Sequence, residues 1–81
     1  MTPRLMRLPD VMAATGLRST SIYDHAKRGI FTPPVKLTAR SSAWPETEIA
    51  AINSARIAGK SDDEIRELVR ELSSLPWYEL P

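Results

Sequence analysis

Thr20, Ser21, Tyr23, Asp24, Lys27 and Arg28 crowd into one short stretch of the chain. Together they offer short hydroxyls, a phenol, a carboxylate and two cations, which is chemistry for hydrogen-bonding and neutralising a polyanion. Catalysis would need converging groups, and the chain supplies few. It has one histidine, His25, and no cysteine. Disulfides, thiolate metal sites, cysteine nucleophiles and multi-histidine metal sites are therefore excluded. Ser21, His25 and Asp10 can be written down as a hydrolase set, with Ser21 and His25 one helical turn apart. No glycine-rich or oxyanion-forming turn accompanies them, and no phosphate-binding glycine loop or EF-hand pattern is present. The expectation is a chain that is not an enzyme, with no metal, cofactor or small-molecule substrate. His25 reads as a hydrogen-bonded, partly buried side chain.

The net charge of +1 conceals an asymmetry. Residues 1–44 hold seven cations against two acids, a net +5, whereas residues 45–81 hold four cations against eight acids, a net −4. Such a split suggests one half facing a polyanion and one facing water or another protein. With 81 residues the chain is a single domain, 42% hydrophobic and 26% charged, as ordinary globular proteins are. No apolar run approaches the ~18 residues of a membrane span. A cytoplasmic location without membrane contact is expected.

Capping signals and spacing divide the chain into four helices and a hairpin, forming one domain over 1–74 with an irregular tail over 75–81. The first helix, 9–15, opens at Pro9, which suits an early helical position because its missing N–H needs no partner there. Leu8, Val11, Met12 and Thr15 form its buried stripe, and Gly16 stops it. The second, 19–28, is capped by Ser19 and ends before Gly29. With Ile22 and Ala26 inward at about 100° per residue, Thr20, Asp24 and Lys27 fall on the opposite side. Two short helices joined by a tight glycine turn make a helix-turn-helix pattern. Pro33-Pro34 forces an extended path, and residues 35–44 read as a two-stranded ribbon, a wing, with Val35 and Leu37 inward and Trp44 as its anchor. A third helix, 46–58, opens at Pro45 and buries Ile49, Ile52 and Ile57. Ser61-Asp62-Asp63-Glu64 is a capping box that starts a fourth helix, 62–74. Its narrow stripe of Ile65, Leu68, Val69 and Leu72 serves either as core or as a dimer interface, the latter with help from Trp77, Tyr78 and Leu80.

The run Arg4-Leu5-Met6-Arg7-Leu8-Pro9-Asp10-Val11-Met12, then Thr15-Gly16-Leu17, Ser19-Thr20-Ser21-Ile22-Tyr23, Lys27 through Leu37 and Arg40…Trp44, resembles the AlpA family. That family comprises small prophage-type transcriptional regulators, similar to excisionases and to the DNA-binding domain of MerR regulators. The resemblance covers residues 4 to about 55; a weaker one links 56–74 to the helices that follow a MerR-type wing. It implies a mainly α fold with a small two-stranded β-hairpin, a winged helix-turn-helix. It implies double-stranded DNA as partner, a recognition helix over Ser19–Arg28, and a wing over Val35–Trp44 with Arg40 as its matching arginine. Three positions depart from the pattern: Arg18 replaces a serine or threonine cap, Asp24 a basic or neutral residue, and Thr38-Ala39 the tip glycines.

On that basis the DNA-facing candidates are Arg18, Ser19, Thr20, Ser21, Tyr23, Asp24, Lys27, Arg28, Lys36 and Arg40. Thr20 and Ser21 are short enough to approach base edges, and Asp24 can accept from a cytosine amino group. Lys27, Arg28, Lys36 and Arg40, with Arg4 and Arg7, are candidates for phosphate contacts that set affinity without reading sequence. Tyr23 as packing against the first helix, the Lys27-Arg28 pair as a solvated helix end, and Arg4 as a frayed terminus remain open alternatives. The expected function is a sequence-specific regulator of prophage or mobile-element type, acting as a monomer, a homodimer or a cooperative multimer. Two rivals stand beside it: an excisionase-like factor that bends DNA, and an adaptor or antirepressor that binds protein through the acidic fourth helix.

Overall fold

The computed structural model describes residues 4–74, so the tail expected over 75–81 lies outside the described residues. The elements run β1 (Leu5–Met6), α1 (Leu8–Thr15), α2 (Ser19–Lys27), β2 (Val35–Thr38), β3 (Ser41–Pro45), α3 (Glu46–Ile57) and α4 (Asp62–Ser74). The fold is mainly helical with a small antiparallel sheet, a winged-helix arrangement. That sheet has three strands in the order β1-β3-β2, where the sequence suggests two. β1 is only two residues long and pairs across the chain, Leu5 with Pro45 and Met6 with Trp44. No local pattern announces so short a strand; its partner supplies it.

Helix ends differ from expectation by one residue in places. α1 starts at Leu8, which puts Pro9 in the first turn behind it. α2 ends at Lys27 with Arg28 as its cap, and α3 ends at Ile57. The cap of α2 is a correction: Arg18, in extended conformation, occupies the N-cap, and Ser19 is already helical. Gly29 closes α2 with φ +80°. There the Gly29 and Ile30 amides donate back to the Ala26 and His25 carbonyls, a Schellman motif open to a left-handed residue. The Ser61 box forms as the sequence suggests: Glu64 N–H donates to Ser61 Oγ (3.2 Å) and Ser61 N–H to Glu64 Oε1 (3.1 Å). These bonds, with Lys60 nearby, hold the Glu64 carboxyl below its ordinary range.

The core gathers Val11 from α1, Ile22 from α2, Ile30 and Phe31 from the connection after it, Trp44 from β3, Ile49 and Ile52 from α3, and Ile65 and Val69 from α4. α4 therefore packs on its own domain through Ile65 and Val69, with Leu72 against the same cluster. Leu68 lies outside it, in a groove with Ala55, Lys60, Glu64, Glu67 and Glu71. Two residues expected inside are exposed. Ile57 is 87% exposed because α3 outruns the core at its last turn, and Leu37 is 45% exposed because the hairpin does the same. Among the described residues no helix is long and apolar enough to cross a membrane.

Thr32 connects fold and wing. It is fully buried, its carbonyl accepts from Trp44 Nε1 (3.1 Å), and its hydroxyl meets no partner at good hydrogen-bond geometry. The half-buried Glu48 carboxyl lies beside that hydroxyl. Burial raises the Glu48 pKa above 4.5, and the weaker pull of Thr32 opposes this without cancelling it. A raised carboxyl pKa means that the folded state holds the proton more tightly. This residue's penalty on stability is thus absent below pH 4.5, grows through the raised pKa and is complete above it. Glu48→Gln is expected to melt higher than the parent at pH 7 and to match it near pH 4. Equal melting-temperature differences at both pH values would refute the assignment.

Candidate nucleic-acid interface

α2 turns Ile22 fully inward and keeps Ala26 and His25 half-covered, so Thr20, Tyr23, Asp24, Lys27 and Arg28 are exposed on its outer side. Ser19 and Ser21 are half-buried at its first turn. No side chain caps this start, and the Arg18 carbonyl accepts the Ile22 amide (3.0 Å). The first amides of α2 thus have no partner from a capping side chain, the condition in which a helix start accepts an anion.

The wing is fixed to this helix at its base. The Trp44 ring is buried and meets the Tyr23 ring at a centroid distance of 6.0 Å, tilted by 58°. Tyr23 packs against the wing anchor and still leaves 47% of its surface exposed. The sequence left open packing of Tyr23 against the first helix; its ring neighbour is instead Trp44 of β3, 21 residues along the chain. β2 and β3 pair Val35 with Ala43 and Lys36 with Ser42, then Thr38 with Ser41, so Leu37 is the extra residue of a bulge. The tip is Ala39-Arg40, where Arg40 N–H donates to Thr38 Oγ1 (3.2 Å). That bond lets a turn without glycine close, and Lys36 and Arg40 both remain exposed.

Ion pairing sorts the cations. Arg56, Lys60, Arg66 and Arg70 each have an acid within 4 Å, as do Arg4, with Glu46 at 3.6 Å, and Arg28, with Asp24 at 3.6 Å and Asp62 at 3.9 Å. Among the described residues Arg7, Arg18, Lys27, Lys36 and Arg40 have none. Every cation of α3, the following turn and α4 is paired, while five of the first half stand without an acid. Arg4 and Arg28 were grouped with those five on sequence, and the structure separates them. Arg4 sits on the rim of an open cleft with Met6, Asp10, Glu46 and Asn53, between α1 and α3. The acids that engage Arg4 and Arg28 come largely from distant chain segments, which spacing does not reveal.

Asp10 lines the cleft beside Arg4, whereas His25 lines another with Thr15, Leu17, Phe31, Ile52 and Arg56. No group of three histidine, cysteine, aspartate or glutamate side chains is placed to hold a metal among the described residues.

Comparison with known proteins gives this geometry a context. The family described as prophage CP4-57 regulatory protein (AlpA) matches residues 4–56, from β1 almost to the end of α3. The chain is also 39% identical over 57 residues to an uncharacterised protein, ORF88, of Enterobacteria phage P4. The aligned part covers 70% of this chain and 65% of that relative, so the chain spans less than two thirds of its length. No solved structure matches. The family match takes in the helix-turn-helix, the wing and most of α3, well over half of the sequence, and the chain belongs to the AlpA family of prophage regulatory proteins.

Proposed function

We propose that this regulator binds duplex DNA sequence-specifically, with the outer side of α2 in the major groove and the β2–β3 wing on the adjoining backbone or groove. The observation that carries this reading is the placement of cations lacking an acidic neighbour. Arg18 stands at the entrance of α2, Lys27 on its outer side, and Lys36 and Arg40 on the wing, with Arg7 at the entrance of α1. Arg7 and Arg18 also sit at helix N-termini, where a positive charge opposes the dipole and costs stability. A polyanion reverses that cost. Thr20 and Tyr23 are exposed on the same helix as Lys27, where hydrogen bonds from their hydroxyls to base edges or phosphates would add to neutralisation.

Selection of bound duplexes from a random pool near physiological salt tests the reading. The parent is run beside a Thr20/Tyr23/Lys27 triple-alanine variant whose fold is verified by circular dichroism. Enrichment of one motif by the parent and its loss in the folded variant are expected, and the spacing of repeated half-sites reports how many copies bind. A pool left unenriched by the parent rejects sequence-specific binding.

A further inference from the structure

The carboxyl end of α2 is gripped from outside the helix. Arg66, on the first turns of α4, donates from Nε to the Arg28 carbonyl at 3.1 Å. That carbonyl belongs to the cap residue of α2, one of the acceptors a helix leaves without an intrahelical donor. The stem of Arg66 lies on the bare backbone of Gly29, so close that a Cβ there would stand 3.4 Å from Arg66 Cγ. Asp63 holds the guanidinium from the other side, with its oxygen 2.8 Å from Arg66 Nη1. Asp62, beside it, reaches both Arg28 and Arg56, at 3.9 and 3.0 Å. Thus α2, α3 and α4 meet through one guanidinium bonded to backbone and one carboxylate shared by two arginines.

We propose that α4 is a clamp on the carboxyl end of α2, and that Arg66 is a positioning residue for duplex binding. The second half of this inference rests on the DNA reading above. Arg66 acts through the Arg28 carbonyl and not by contact with DNA. A cation over the negative end of α2 is also favourable for the helix itself. The family match ends at residue 56, so it takes in Arg28, Gly29 and Arg56 but not Asp62, Asp63 and Arg66, the α4 side of the clamp. Arg28 belongs to the clamp as well, held by Asp24 and Asp62, and is not a primary phosphate contact.

Arg66→Lys keeps the charge but carries no Nε–H where the Arg28 carbonyl waits; Arg66→Ala removes both. Hydrogen exchange on the full chain without DNA reads the clamp alone. In the lysine variant the Gly29 and Ile30 amides are expected to exchange about tenfold faster, with the Ile22 and Val69 amides unchanged. Unchanged exchange at Gly29 and Ile30 overturns the clamp. Uniformly faster exchange, Ile22 and Val69 included, also overturns it, because Arg66 then serves global stability. The second arm measures affinity against salt on the selected duplex. The lysine variant is expected to bind about tenfold more weakly with the parent's salt slope, because no phosphate contact has been removed. An unchanged affinity overturns the positioning role. For Arg66→Ala, a slope shallower by about one would overturn it too, by making Arg66 a phosphate contact. If the parent binds no duplex, the DNA reading fails while the exchange arm still decides the clamp.

Discussion

Trp44→Ala is expected to lose about 3–5 kcal/mol, a large part of what holds so small a domain together. The ring is fully buried in the core, meets the Tyr23 ring at 6.0 Å, and sits where β3 pairs with β1. Its removal opens a cavity and also strands the Thr32 carbonyl, whose donor is Trp44 Nε1. Trp44→Phe separates these effects. It retains most of the volume, loses the hydrogen bond, and is expected to cost about 1–3 kcal/mol. Urea unfolding followed by circular dichroism measures both. A cost below about 1 kcal/mol for the alanine variant would mean that the wing base is not anchored as described.

The second large effect concerns affinity. Replacing Arg18, Lys27, Lys36 and Arg40 together by alanine is expected to weaken duplex binding on the order of 100–1000-fold near physiological salt. The slope of log affinity against log salt should become shallower by about 3–4, since each neutralised phosphate contributes about 0.9. No ion pair is lost in this variant, so its melting temperature should hold or rise. The informative control is the quadruple alanine variant of Arg4, Arg56, Lys60 and Arg70. It removes the same formal charge, but from residues engaged by Glu46, Asp62, Glu64 and Glu67. If the two variants flatten the slope equally, total charge governs binding and the placement of cations does not.

The parts of this fold that were legible in the sequence are those governed by local rules. Gly16, Gly29 and Gly59 all take positive φ at helix ends, and the Ser61–Glu64 box forms both of its bonds. The inward side of α2 follows from spacing because a nine-residue helix has one dominant apolar residue, Ile22. Tertiary effects were not legible. β1 exists because β3 offers it an edge forty residues away. Ile57 and Leu37 continue an apolar pattern past the point where there is a core to receive them. Among the candidate DNA-facing residues, residue type gave away which side chains are cationic, while only the fold showed which of them acids had already engaged. Arg28 is the instructive case: its i,i+4 neighbour Asp24 was visible in the sequence, but Asp62 and the Arg66 contact at its carbonyl were not.

Pro45 is at once the last residue of β3 and the N-cap of α3, so the wing's return strand passes into the next helix without a spare residue. The connection before the wing is equally committed, with Ile30, Phe31 and Thr32 all buried. Length can therefore vary at low cost at the Ala39-Arg40 tip, which is exposed and contributes no residue to the core cluster. There an inserted residue costs little more than a fraction of 1 kcal/mol in loop-closure entropy, roughly 0.6 kcal/mol per doubling of the loop. The same scaffold can thus carry wings of different reach, leaving the tip free to diversify while the frame that carries it stays put.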